Sequence, residues 1–195
     1  MKINSIGYVL IILILIISIK AYFESDYFNL KCIISDVDGR KYCVREREKM
    51  EEASDLLAKT TQNMTKLVNY LKEKYPTRSN VKRLVKNYNP RTIKETLPTS
   101  EYTAYSENKG EKLAFCLNRE KNDSNNLIDE HTLMFVSIHE LAHIGTKDIG
   151  HTYKFWENFK FLLECARDIK IYEPENYNEF PVNYCGLDIT HNPLF

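Results

Sequence analysis

Apolar positions along the chain fall into three patterns: one unbroken run, several stripes at helical spacing and a few short alternations. Between residues 3 and 19 nothing is charged, and residues 9–17 are uninterrupted Val, Leu and Ile. The 17 residues from 3 to 19 would rise about 25 Å as a helix, and continuing through Ala21, Tyr22 and Phe23 gives about 31 Å, enough for a bilayer core. The run predicts a retained membrane anchor over 1–23, with Lys20 snorkelling and the aromatic rings at the interface. A cleaved secretory signal competes with it, since Lys2 precedes the apolar core. Only Ser18, Lys20 and Ala21 stand where a small-x-small cleavage site should be. Few charges flank the run, so its orientation is weakly specified.

Helical periodicity resumes at Met50. Met50, Ala53, Leu57, Thr60, Met64, Leu67 and Leu71 recur at alternating three and four, predicting one long helix over 46–75 stopped by Pro76. Such a stripe packs over a core or zips to a partner chain, and Thr60 in the seam disfavours the coiled coil. A shorter helix over 80–88 shows Val81, Leu84, Val85 and Tyr88 on one side and ends before Pro90. From Thr152, Phe155, Trp156, Phe159, Leu162, Leu163, Ala166 and Ile169 set another stripe.

The alternating segments predict hairpins. Asp38-Gly39 reads as a two-residue turn between strands 30–36 and 40–45. A second hairpin joins strand 102–106 to strand 112–119 across the polar turn 107–110. Its second strand leads toward the helix that follows and is the candidate open edge for an extended peptide. Residues 89–100, holding Pro90 and Pro98, read as irregular surface chain, and 120–126 as a polar loop. The tail 180–186 has no regular period, but its aromatic content predicts that it packs down.

Basic and acidic residues balance at 27 each, so net charge singles out no class of partner. Locally, Arg78, Lys82, Arg83, Lys86, Arg91 and Lys94 face only Glu95. This run is a solvated helix face or a patch for nucleic acid or anionic lipid. The five cysteines, Cys32, Cys43, Cys116, Cys165 and Cys185, leave at least one unpaired and show no Cys-x-x-Cys spacing. If the amino terminus stays in the cytosol, the remainder faces an oxidising space where thiols can pair. A two-residue turn at 38–39 sets residue 34 opposite Cys43 and leaves Cys32 diagonal to it, within reach of a bridge. Buried reduced thiols are the simpler expectation.

Candidate chemistry lies in the apolar segment before Gly145. Leu133, Met134, Phe135, Val136, Ile138, Leu141, Ala142 and Ile144 make it apolar on most sides, with Asp129 placed as N-cap and Gly145 as its end. Inside it stands His139-Glu140-Leu141-Ala142-His143, and Gly150-His151 follows. Residues four apart share a helix face, so His139 and His143 aim at one centre. Polar rings in such a helix are costly unless partnered, by a metal or by backbone and carboxylate groups. With a metal, Glu140 stands where zinc peptidases place the general base, and His151 offers a third nitrogen after a glycine that permits close approach. Glu157 and Glu164 on the next helix are rival third ligands, while His131 and His191 have no spacing argument.

With Phe155-Trp156 heading the following helix, this run resembles the WLM and SprT-like metallopeptidases, small zincins whose third ligand is a His just ahead of a Phe-bearing helix. The segment from Tyr102-Thr103-Ala104-Tyr105 through Lys109-Gly110-Glu111-Lys112 to Tyr184-Cys185-Gly186 is similar to membrane-anchored WLM-type metallopeptidases encoded by large DNA viruses, over roughly residues 30–193. The resemblance implies an α+β fold. A small zincin-like domain over 24–195 would pack a short sheet on the active-site helix among further helices, behind a transmembrane helix over 1–23. The location would be a host or virion membrane, through a single pass.

The resemblance also implies Zn²⁺ held by His139, His143 and His151. A peptide or protein substrate would be hydrolysed with Glu140 as general base on zinc-bound water, whose pKa falls toward about 7. Tyr153 and Tyr184 are oxyanion donors by chemistry alone. Two other functions fit the same residues. One is a membrane-anchored scaffold with a closed, non-catalytic zinc site. The other is a protease acting on protein crosslinked to DNA, as some of these relatives are understood to do, with the basic run as the nucleic-acid contact.

Overall fold

Elements follow the chain as α1 (Ser5–Glu24), β1 (Leu30–Ile34), β2 (Lys41–Arg45), α2 (Met50–Lys74), α3 (Ser79–Asn87), β3 (Ile93–Glu95) and β4 (Ala104–Glu107). Then come β5 (Lys112–Phe115), α4 (Glu130–Gly145), α5 (Tyr153–Asp168), β6 (Val182–Tyr184) and β7 (Leu187–Ile189). The computed structural model describes residues 5–24, 30–121 and 126–195. Most of the polar loop expected at 120–126 and the first four residues of the expected anchor lie outside the described residues.

The apolar run is helical as expected, and Ile6, Val9, Leu13 and Ile16 are exposed along it. Among the described residues, however, no helix is long and apolar enough to cross a membrane. The uncharged run within α1 ends before Lys20, and from its first apolar residue, Ile6, to Ile19 it supplies 14 residues. That is a rise of about 21 Å against a hydrocarbon core of about 30 Å. The transmembrane helix of the expected fold class is therefore corrected. The single-pass membrane localisation and the membrane as partner, which followed from it, are corrected with it.

α2 carries the expected stripe, with Ala53, Leu57, Met64, Leu67 and Leu71 fully buried. Thr60 in the seam is buried as well, and its hydroxyl donates to the Leu56 carbonyl at 2.8 Å, so the helix itself satisfies it. The helix begins at Met50 and not at residue 46, because Arg47 turns its guanidinium inward to the Glu95 carboxylate and the Asn118 side-chain oxygen. α4 packs against α2, α3, α5 and the β4–β5 hairpin, which explains a helix with almost no polar face. Asp129 caps its start by accepting from the Thr132 N–H at 2.8 Å, and Thr152 caps α5 by accepting from the Phe155 N–H at 3.4 Å.

Three strands form a sheet in the order β3-β5-β4, with β5 parallel to β3 and antiparallel to β4. The strand expected to offer a free edge, β5, is thus the central one, and the edge beside the site is β4. β3 arises within chain expected to be irregular; its three residues are too few to show a period. It is held by β5 and by the buried Glu95, which accepts from the Arg45 N–H at 2.7 Å and pairs with Arg47.

The first hairpin departs from its expected turn. Cys32 lies opposite Cys43 and Ile34 opposite Lys41, leaving a turn over 35–40 closed by Ser35 N–H to the Arg40 carbonyl at 3.0 Å. That direct register joins Cys32 and Cys43 in a disulfide, and Cys116 joins Cys185 in a second. Only Cys165 is free and buried, so the expectation of reduced thiols is corrected for the other four. The tail does pack down, as the β6–β7 hairpin with Tyr184 and Cys185 buried.

Candidate metal centre

The helical spacing of four brings His139 and His143 together on the cleft side of α4, their Nε2 atoms 3.2 Å apart. The loop after Gly145 returns His151 to the same point, with its Nε2 3.2 Å from that of His143 and 3.0 Å from that of His139. Three nitrogens in a triangle cannot all be hydrogen-bonded to one another. Each either carries a proton or lacks one, so at least one pair must be two donors or two acceptors. A cation at the centre satisfies all three lone pairs. Ligand distances of about 2.0–2.1 Å in tetrahedral geometry set nitrogens about 3.3 Å apart, close to what is observed. Among the described residues, these three are the group of candidate ligands whose donor atoms lie within 4.8 Å of one another. Glu157 is exposed and Glu164 only partly buried, and neither joins the group.

Burial tunes the charges in the direction a cation site requires. His139 is pushed down to about 3, first by burial and then by the neighbouring His143 and His151. His143 is pushed down to about 4 by burial, His151 and Lys109. Both rings are therefore neutral at neutral pH, with lone pairs free. Glu140, only 5% exposed, is pushed up to about 8 by burial alone.

α5 supplies the floor beneath the triad. The Phe155 ring lies 4.8 Å from His139, 4.3 Å from His143 in a stacked arrangement and 4.7 Å from His151, centroid to centroid. Trp156 lies 5.8 Å from His151. Two cations hold the end of α4. Arg83 donates to the Gly145 carbonyl at 2.6 Å, and Lys109 Nζ donates to the carbonyls of His143, Thr146 and Asp148 at 3.2, 3.0 and 2.8 Å. Burial, then Arg83, draws the Lys109 ammonium below the ordinary lysine range, against the pull of Asp148. Sequence reasoning missed Lys109. The signal available was a lysine one residue before the glycine of a tight turn.

The triad and Glu140 open onto a cleft of about 890 Å³ whose other wall is β4, from Ala104 to Glu107, with Tyr102, Lys109 and Ile149 around the rim. Neither expected oxyanion donor lines it. Tyr153 is 77% exposed to solvent, while the buried Tyr184 hydroxyl donates to the Thr103 carbonyl at 3.4 Å. Burial, then the Glu140 carboxylate, raises Tyr184 well above the usual tyrosine range. The basic run is partly spent on structure. Besides Arg83, Arg78 stacks its guanidinium 3.8 Å above the Phe161 ring.

No family model matches the chain. It is 30% identical over 189 residues to an uncharacterized protein of Acanthamoeba polyphaga mimivirus, a match covering 95% of this chain and 92% of that protein. An uncharacterized protein of Invertebrate iridescent virus 6 matches at 35% identity over 74 residues, 38% of this chain and 40% of that protein. Among solved structures, the crystal structure of Wss1 from Saccharomyces cerevisiae superposes with a TM-score of 0.47 at 17% identity, over 64% of this chain and 84% of that one.

Proposed function

We propose that this chain, which belongs to one family with the uncharacterized mimivirus protein, is a zinc-dependent WLM-type peptidase that hydrolyses peptide bonds in protein substrates, its catalytic domain spanning 24–195. One observation carries the reading: three imidazole nitrogens meet within 3.2 Å of one another in a cleft that Glu140 also lines. His139, His143 and His151 are the residues that would hold the ion. Bound there, Zn²⁺ supplies Lewis acidity toward a carbonyl oxygen and toward water, with a fourth position left free by three ligands.

The chain's own groups carry the remaining steps. The Glu140 carboxylate takes a proton from the attacking water and returns it to the amine nitrogen as the C–N bond breaks. Its burial raises its affinity for a proton, which makes it the stronger base for the first transfer. An extended substrate adds to the β4 edge through main-chain hydrogen bonds, its side chains alternating between the cleft wall and solvent. The absence of a fourth side-chain ligand beside the triad, among the described residues, favours this open site over a closed structural one.

The test is metal content and turnover on the full-length protein. About one zinc per chain is expected in both wild type and Glu140→Gln, as a single three-ligand site implies. Peptide hydrolysis should fall by about 10²-fold or more in the variant. Undiminished hydrolysis by Glu140→Gln would remove the assigned base, and failure of the wild type to take up zinc would remove the whole reading.

A further inference from the structure

We infer that Lys109, at the tip of the β4–β5 turn, is a positioning residue for the third metal ligand, stapling the loop over 146–150 so that His151 reaches the other two imidazoles. The inference rests on the metal reading of the triad. An ammonium has three donors, and those of Lys109 go to His143, Thr146 and Asp148, at 3.2, 3.0 and 2.8 Å. These carbonyls belong to the second ligand, the first loop residue after α4 and a residue three before the third ligand. One side chain thus fixes both ends of the connection, and with its donors so engaged it acts through the loop and not on substrate.

The loop has little else to hold its far end. Ile149 is 89% exposed, and a Cβ placed on Gly150 would meet nothing within 4 Å. The Asn158 amide grips Thr146 Oγ1 at 2.7 Å, at the near end. At the far end, Lys154 reaches the Asp148 carboxylate at 3.7 Å as an exposed pair, which holds weakly.

The backbone under Lys109 is built around delivering this side chain. Asn108 and Lys109 both sit in the left-handed region, at φ 47° and 59°, and Gly110 follows at φ 115°. A Cβ on Gly110 would come 2.5 Å from the Asn87 carbonyl oxygen, so the turn is pressed against the end of α3. Glycine at 109 would relieve the conformation, yet a lysine occupies it, and its ammonium is where the loop needs donors.

The experiment is cobalt titration of the full-length, metal-free protein against a competing chelator, with the d–d spectrum recorded and the fold checked by circular dichroism. Lys109→Met should lose about tenfold or more in cobalt affinity, as outer-shell substitutions do, with a weakened tetrahedral band, and Lys109→Arg should recover most of both. If the lysine acts through the third ligand, Lys109→Met should add nothing to the loss already caused by His151→Ala. Affinity and spectrum unchanged by Lys109→Met, or an equal further loss in the His151→Ala background, would overturn the inference while leaving the triad intact. No cobalt uptake by the wild type would overturn both. Should the Met variant not fold, Lys109→Gln is held to the same outcomes.

Discussion

His139 and His143 project from α4, a helix buried on nearly every side, whereas His151 is exposed at the end of a loop whose tip packs against almost nothing. The first two are positioned by the 3.6-residue period and by the core around them, so whatever destabilises the fold disturbs them. The third is positioned by a few polar contacts from elsewhere in the chain and by Phe155 beneath it. Two members of the triad are therefore coupled to global stability, and the third to local hydrogen bonds that contribute little to it. Metal affinity and folding stability should separate accordingly.

The strongest way to break that separation is Phe155→Ala, because the ring is fully buried and lies under all three histidines. It should cost about 3–5 kcal/mol in urea unfolding of the metal-free protein and weaken zinc binding as well. Gly150→Ala sharpens the comparison from the loop side. The residue sits at φ 79° with nothing near its would-be Cβ, so only backbone strain changes. A cost of about 1 kcal/mol should appear as about a fivefold loss of zinc affinity in a chelator titration, with the thermal midpoint of the metal-free protein nearly unmoved. Asp129→Ala does the reverse on the helix side. Loss of its bond to the Thr132 N–H should lower unfolding free energy by about 1 kcal/mol or less while zinc affinity stays within twofold.

The same contrast explains what was legible in the sequence. Where local period decides, the reading held: the stripe of α2, the cap at Asp129 and the helical start at Thr152 follow from residues a few positions apart. Where distant residues decide, it did not. β3 is three residues long and exists through its pairing with β5 and the burial of Glu95, neither of which leaves a periodic trace. The Cys116–Cys185 bridge joins residues just past the ends of β5 and β6, far apart in the chain, and connectivity of that kind is not encoded in spacing. Lys109 is invisible for a related reason: a lysine beside a turn glycine reads as solvent-facing until its three acceptors are in view. The expected anchor misled in the opposite way. The compositional run reaches a bilayer's width only by crossing Lys20, and the uncharged helical stretch is shorter than a bilayer core.

The bond between Cys116 and Cys185 closes a covalent ring of sequence separation 69, and all three clustered histidines, Glu140 and both flanking helices fall inside it. A single cut of the backbone anywhere within that ring leaves the two pieces tethered to each other. A protein able to nick its own exposed loops would thus keep its centre assembled after the first scission, and the break would show only once a thiol reagent had opened the ring.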